Sequence, residues 1–162
     1  MEVFLIKLGL IMEKYEFYSL EEIAEKIAKS LEENGLPYTV ERQEDSIVIW
    51  LDREHNFGCE ICGLHIAVFH MEGSRLFNLD EGKELDALST QEAMKHLLLI
   101  ASHTLFQEDT YKGKRLCSSR QYVIREGNQF FCSTLWIKHI LFFVPFLKKE
   151  VKIKAYTYQR EE

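Results

Sequence analysis

The chain has 162 residues, of which 46% are hydrophobic, 12% aromatic and 28% charged, and its net charge is −6. This length and mixture predict one globular domain spanning 1–162, with a core large enough to fold without a cofactor or a disulfide. They exclude the charge-rich, aromatic-poor composition of a disordered chain.

Residues 3–12 form an apolar segment interrupted by Lys7. The segment fits a buried strand or the start of a helix, and we predict a strand at a sheet edge. It is shorter than the roughly 20 residues that cross a bilayer. Because no positive charge precedes it and no small-residue cleavage site follows it, a secretory signal is not expected. We therefore expect a cytoplasmic protein that does not enter a membrane.

Two amphipathic helices are predicted from apolar residues that recur every three or four positions. The first begins at a capping box of Ser19 and Glu22 and ends at Gly35, a residue suited to the left-handed conformation after a helix. The second has the same signature at Ser89 and Glu92, and residues 73–87 before it are predicted to be a surface loop. Its predicted apolar face consists of Ala93, Met94, Leu97, Ile100, Ala101 and Leu105.

Short runs with strand composition follow each helix. They are 38–42, 47–51 and 64–70 after the first helix, and 116–125, 129–144 and 151–158 after the second. The resulting order, (β)-α-βββ-α-βββ, predicts an α+β fold in which an antiparallel-rich β-sheet packs against two amphipathic helices. It also suggests two α-βββ halves, 12–72 and 88–160, although no residue-level repeat relates them.

Two cysteines, Cys59 and Cys62, stand in the sequence FGCEICG at residues 57–63. Two thiolates at this spacing, with a glycine directly after the second, can form the tight knuckle that holds half of a zinc site. The remaining ligands could come from His55 or His65, or from the same knuckle of a second subunit. Cys59 and Cys62 are therefore candidate metal ligands, and buried thiols without a metal are the alternative.

The sequence contains no nucleophile elbow, no phosphate-binding loop and no His-Glu-x-x-His motif. Glu81 and Glu150 each stand two residues before a lysine, an arrangement found in half of a metal-dependent nuclease centre. Neither has a convincing partner acid on a neighbouring strand, so exposed surface charge explains both pairs better. The sequence therefore favours a non-catalytic role.

The C-terminal third is basic, because residues 1–110 carry a net charge of −13 and residues 111–162 carry +7. In the last predicted strand, two lysines and two tyrosines alternate onto one face. Cationic faces with flat rings are suited to phosphates and stacked bases. A half-exposed sheet whose lysines keep it soluble is the alternative. The candidate nucleic-acid-binding residues are Arg120, Tyr122, Lys152, Lys154, Tyr156 and Tyr158.

Residues 135–137 and 140–144 are apolar on both faces of their predicted strand. Such a strand must be covered on both sides, and a second subunit would provide the second cover. The leading hypothesis is therefore a small non-catalytic binding or assembly module that acts as a homodimer. Nucleic-acid binding and organisation by zinc are the alternatives, and the abundance of Glu and Lys is compatible with a thermophilic host.

Overall fold

The computed structural model describes residues 19–79, 83–136 and 148–158. These residues form an α+β fold with two helices and two antiparallel sheets. The predicted class is confirmed, whereas the predicted single sheet is wrong, because the strands divide into a five-stranded and a four-stranded sheet. The predictions for residues 3–12 and 137–144 lie outside the described residues. Among the helices described, none is long and apolar enough to cross a membrane.

The first helix, α1, spans Leu20–Glu33 and begins at the predicted capping box. Ser19 Oγ accepts a hydrogen bond of 3.1 Å from the backbone N–H of Glu22, and the Glu22 carboxylate accepts one of 2.8 Å from the backbone N–H of Ser19. These bonds satisfy N–H groups that have no partner within the helix. Gly35 follows with a φ of 63°, the left-handed conformation predicted for it,.

Five strands follow α1 and form the first sheet, in which each strand pairs with the next in antiparallel fashion. They are β1 Thr39–Arg42, β2 Ser46–Asp52, β3 Phe57–Cys62, β4 His65–His70 and β5 Gly73–Asn78. The predicted loop beginning at 73 is therefore wrong, because residues 73–78 form β5. The segment predicted as a zinc knuckle, 57–63, lies mostly in β3. In β5 only Phe77 is buried. Apolar and polar residues therefore do not alternate along this strand, and the sequence lacks the usual signal of a half-buried strand,.

The second helix, α2, spans Lys83–Ser102 and so begins before the predicted capping box at Ser89 and Glu92. The residues ahead of Ser89 are mostly good helix formers, which lets the helix extend in that direction. Thr90 is buried and donates its hydroxyl hydrogen to the backbone carbonyl of Asp86 at 2.7 Å, a bond that satisfies a threonine inside a helix,. Leu105, predicted on the apolar face of this helix, lies beyond its end in the next strand.

Four strands follow α2 and form the second sheet, in the spatial order β8-β7-β6-β9. They are β6 Thr104–Lys112, β7 Arg115–Arg125, β8 Asn128–Trp136 and β9 Lys149–Thr157. All neighbours are antiparallel. Since β9 pairs with β6 rather than β8, the chain passes from one edge of this sheet to the other between β8 and β9.

Buried residues of both helices and both sheets belong to one hydrophobic cluster. Fully buried members include Ile27 of α1, Leu97 of α2, Ile49 and Ile66 of the first sheet, and Leu105 and Val123 of the second. Full burial of such a side chain contributes roughly 1.5–3 kcal/mol. This cluster is therefore the main source of stability shared by the two sheets.

Polar side chains on the inner face of the second sheet meet the end of β4. Gln121 Nε2 donates to the backbone carbonyl of His70 at 3.2 Å and to Gln107 Oε1 at 2.9 Å. Gln107 Nε2 donates in turn to Glu72 at 2.8 Å. Because an unpaired buried polar group costs roughly 1–3 kcal/mol, these bonds favour one arrangement of the two sheets. A Cβ atom at Gly73 would collide with the Gln121 side chain, so the glycine permits this close approach.

Candidate ligand-binding cleft

Cys59 and Cys62 both lie in β3, three residues apart. Because side chains alternate along a strand, Cys59 points into the core and Cys62 to the opposite face of the sheet. Cys59 is fully buried, and burial raises the pKa of its thiol to about 12. The two sulfur atoms therefore do not face one site, and zinc binding by this pair stays a prediction that requires β3 to open.

Cys62 is partly exposed and contacts His65 across the turn between β3 and β4. Its Sγ atom lies 3.6 Å from Nδ1 and 3.7 Å from Nε2 of that ring. Two of the candidate zinc ligands thus come together, while Cys59 remains in the core. Across the described part of the chain, no three His, Cys, Asp or Glu side chains converge in a way that could hold a metal ion.

Four of the candidate nucleic-acid-binding residues lie on the inner face of the last strand or just after it. Lys154 Nζ lies 2.9 Å from the Glu72 carboxylate. Tyr156 and Tyr158 are only 6% and 7% exposed. Lys152 remains exposed, 3.6 Å from the Glu150 carboxylate. This face therefore makes most of its contacts within the protein.

The other two candidates, Arg120 and Tyr122, lie on the outer face of the same sheet. Arg120 pairs with Glu108 at 2.7 Å, and Tyr122 stacks on Phe106 with a centroid distance of 5.6 Å. The six candidates thus divide between two faces rather than forming one cationic surface. Nucleic-acid binding by these residues stays a prediction.

An open cleft of about 730 Å³ lies between the first sheet and β9. Ligand sites commonly have volumes of about 300–1,000 Å³. One wall comes from the segment that enters β1 and from the end of β2 with the turn after it, and the other comes from the end of β9. The described lining residues are Pro37, Tyr38, Thr39, Trp50, Leu51, Asp52, Arg53, Glu54, His55, Met71, Ala155, Tyr156, Thr157 and Tyr158.

Asp52 is the centre of hydrogen bonding in this cleft. Its Oδ2 atom accepts a hydrogen bond of 2.9 Å from the Tyr156 hydroxyl and lies 2.9 Å from Nδ1 of His55, while Oδ1 accepts one of 3.1 Å from the His55 backbone N–H. Partial burial acts to raise the pKa of Asp52, but the hydrogen bonds from Tyr156 and His55 together hold it below its ordinary value,. Asp52 is therefore a carboxylate at neutral pH.

The two partners of Asp52 are fixed by it in different ways. Burial raises the pKa of Tyr156, and its hydrogen bond to the Asp52 carboxylate and that group's negative charge raise it further, so the hydroxyl remains a donor. The His55 ring packs against Tyr156 with a centroid distance of 5.1 Å. In a neutral ring that donates from Nδ1 to Asp52, the outer Nε2 atom is an acceptor. Among the described residues, no hydrogen-bond partner for that atom is found.

The cleft carries more negative than positive charge. Asp52 and Glu54 line it, whereas the single lining Arg, Arg53, is already paired with Glu41 at 2.6 Å. The guanidinium of Arg53 also lies over the Trp50 ring, 5.0 Å from its centroid. Negative charge in a cleft raises the local concentration of cations and repels anions such as phosphate. The arrangement suits a ligand with a positive charge or with N–H donors.

Aromatic rings give the cleft its apolar surface. Phe57 is fully buried behind it and packs edge-on against Tyr156 at 6.2 Å and Tyr158 at 5.7 Å between centroids. The Tyr38 hydroxyl is anchored outside by a 2.6 Å hydrogen bond to Glu32. Because Tyr156 and Tyr158 are almost fully buried, they present little area to the cleft, and their packing leaves them little conformational freedom to lose on binding,.

Sequence reasoning did not identify Asp52, and it considered His55 only as a zinc ligand. The local signal was an Asp at the end of β2 and a His three residues later, in the polar turn after it. Their partner Tyr156 stands 104 positions from Asp52, so only the tertiary structure unites the three side chains.

The chain matches no protein-family model, no curated protein and no solved structure. The fold and the cleft define the molecule as an α+β protein with an aromatic, acidic cleft between a sheet and the edge strand of its neighbour. A functional assignment therefore depends on the chemistry of that cleft.

Proposed function

We propose that this protein is a non-catalytic binding module that holds a small organic ligand in the cleft. The observation that carries the proposal is the convergence of tyrosine rings and the Asp52 carboxylate on one open cleft of ligand size,. The described lining residues include neither serine nor cysteine, so the oriented His55 has no such nucleophile to activate there,. Binding is thus better supported than covalent catalysis.

The chemistry of the lining residues selects a class of ligand. A cationic or N–H-bearing group would be attracted by Asp52 and Glu54 and could donate a hydrogen bond to Nε2 of His55. An adjoining ring would lie against the partly exposed rings of Tyr38 and Trp50. The cationic group would gain roughly 0.5–2 kcal/mol from cation–π attraction to such a ring. We therefore propose an aromatic amine or a similar organic cation as the ligand class.

Two probes with the same phenol ring test this selection, namely tyramine, which carries an amine, and 4-hydroxyphenylacetate, which carries a carboxylate. Tyramine at millimolar concentration is expected to shift the NMR signals of the Trp50 indole N–H and of the backbone amides of residues 52–55. 4-Hydroxyphenylacetate is expected to leave them unchanged. Equal shifts from both probes would contradict the charge selection, and no shift from either would contradict the proposed ligand class.

Two variants test whether tyramine binding depends on the charge inside the cleft. Asp52→Asn removes the central negative charge and is expected to weaken tyramine binding at least tenfold. Glu44→Gln removes an exposed acid in the turn between β1 and β2, outside the cleft, and is expected to bind as the unmodified protein does. Equal loss in both variants would mean that only the net charge of the protein matters.

We also propose that the protein acts as a homodimer through the outer face of the second sheet. Four large apolar side chains on this face are strongly exposed, with Ile153 at 61% and Phe131 at 52%. At the centre of the face, Glu108 and Arg120 neutralise one another. A second copy is the proposed occupant, because such a neutral apolar centre does not repel an identical face. The four side chains are Ile124, Phe131, Val151 and Ile153.

Native mass spectrometry at micromolar concentration tests the dimer. Ile153→Lys is expected to convert it to a monomer, because a charge would be buried in the interface. Leu76→Lys changes an equally exposed apolar residue in β5, on the other sheet, and is expected to leave the dimer intact. An unmodified protein that is already monomeric would contradict this second proposal without affecting the first.

A further inference from the structure

Two histidines lie in contact inside the protein, where α2 meets the first sheet. His70 ends β4 and is 0% exposed, and His96 comes from the middle of α2 and is 5% exposed. Their ring centroids are 5.6 Å apart. Within the part of the chain that the structure describes, neither nitrogen of His70 has a hydrogen-bond partner, and Nε2 of His96 has none either. An exposed imidazole can form hydrogen bonds with water, so burial of these rings without hydrogen-bond partners costs free energy.

The groups that face the pair are apolar, neutral or cationic. From β5, Phe77 packs on His96 with a centroid distance of 5.8 Å, and the guanidinium of Arg75 lies over Phe77 at 5.3 Å from its centroid. From β7, the Gln121 amide donates a hydrogen bond to the backbone carbonyl of His70.

Among the residues that the structure describes, no carboxylate contacts either ring to balance a positive charge. Glu72 is connected to His70 only through two glutamines, and it is already held by Lys154. Glu92, one turn before His96, is exposed on the surface of α2. A bound metal ion is not favoured either, because no third ligand converges within the described residues and Arg75 adds positive charge nearby. The arrangement accepts the rings only in their neutral form.

We propose that the His70–His96 pair makes the junction between α2 and the first sheet sensitive to acid. The junction is stable while both rings are neutral, and it opens as they take up protons.

Burial lowers the pKa of His70 to about 4. Burial, followed by the charges of His70 and Arg75, lowers the pKa of His96 to about 3. The ordinary value of 6.5 applies to both rings in the unfolded chain. Between about pH 6.5 and 4 the unfolded chain therefore binds more protons than the folded protein. The stability from the neutral pair is complete above pH 6.5 and is lost as the pH falls through this interval.

Urea unfolding of the full chain at pH 7 and pH 5 measures the effect. Two rings with these properties raise the unfolding constant roughly five-hundredfold between the two pH values, and one ring raises it roughly twentyfold. We expect the larger change in the unmodified protein and the smaller change in His96→Phe, which keeps a ring against Phe77. His65→Gln, a change at the partly exposed histidine that begins β4, should retain the larger change.

A second measurement does not depend on the variants folding. In NMR spectra of the unmodified protein, the rings of His70 and His96 should retain the signals of neutral imidazole at pH 5.5. A protonated ring at either position in the folded protein at that pH would overturn the proposal. So would an equal pH dependence of unfolding in the unmodified protein and in His96→Phe.

Discussion

The hydroxyl of Tyr156 donates a hydrogen bond of 2.9 Å to Oδ2 of Asp52, and this bond joins the edge strand of the second sheet to the end of β2 in the first. It is thus a contact between the two walls of the cleft. Its loss should affect both the stability of the protein and the shape of the proposed ligand site.

Replacing Tyr156 by phenylalanine tests this bond with little change in volume. A hydrogen bond to a charged group contributes roughly 1.5–3 kcal/mol, so Tyr156→Phe should lower the free energy of unfolding by an amount in that range. Urea unfolding at pH 7 measures it. Tyr38→Phe is the matched control, because the Tyr38 hydroxyl binds an exposed carboxylate of Glu32 and its loss should cost less,. Equal losses of unfolding free energy in the two variants would show that the hydrogen bond to Asp52 stabilises the protein no more than the hydrogen bond to Glu32 does.

Acid should reveal the hydrogen bonds to Asp52 in a second way. The pKa of this carboxyl is lowered in the folded protein, so the stability that its charge provides is present above the ordinary carboxyl range and is lost as the pH falls below it,. Asp52→Asn should be less stable than the unmodified protein at pH 6, and the difference should shrink by pH 3. Urea unfolding at the two pH values checks this. A difference that stays constant with pH would contradict it.

A side chain at Gly73 should destabilise the protein. A Cβ atom there would lie 2.6 Å from Ser133 Oγ and even closer to Gln121 Oε1, and Gln121 is buried in the hydrogen bonds between the sheets. Overpacking of this kind typically costs roughly 1–3 kcal/mol, so Gly73→Ala should lower the melting temperature by several degrees. Gly63→Ala is the control, because no atom lies within 4 Å of its added Cβ. A similar melting temperature for both variants would contradict the prediction.

The four cysteines should differ sharply in reactivity. Cys59, Cys117 and Cys132 are buried, and burial raises the pKa of Cys59 to about 12 and that of Cys132 to about 11. Cys62 is partly exposed. Iodoacetamide should therefore modify only Cys62 in the native protein and all four thiols in urea, as mass spectrometry of tryptic peptides can determine. Native labelling of Cys59 would show that β3 opens, which is the condition for the zinc hypothesis.

The parts of the fold that depend on local chemistry could be predicted from the sequence. The capping box at Ser19 and the left-handed Gly35 involve only nearby backbone groups, and both are present. The same Ser-x-x-Glu pattern at Ser89 predicted the wrong start for α2, because good helix formers precede it and the helix runs through it. A capping residue determines a helix start only where the preceding residues cannot extend the helix.

Strand β6 was missed for a physical reason. In β6 the three inward positions, Leu105, Gln107 and Asp109, are almost completely buried, yet two of them are polar. They are buried because partners from other strands satisfy them, among them Glu72 and Gln121. Alternation of apolar and polar residues is therefore absent from the sequence of this strand. The cleft could not be predicted from the sequence either, because the hydrogen bond between Asp52 and Tyr156 links distant positions in different sheets.

The position of β9 along the chain has a consequence for synthesis. Asp52 leaves the ribosome 104 residues before Tyr156, and strands near the N-terminus can begin to fold while the rest is still being translated,. Until β9 pairs with β6, the proposed ligand site has one wall only. The growing chain would therefore be unable to bind the proposed ligand. A product that ends before residue 148 would lack β9 and would not bind the ligand either.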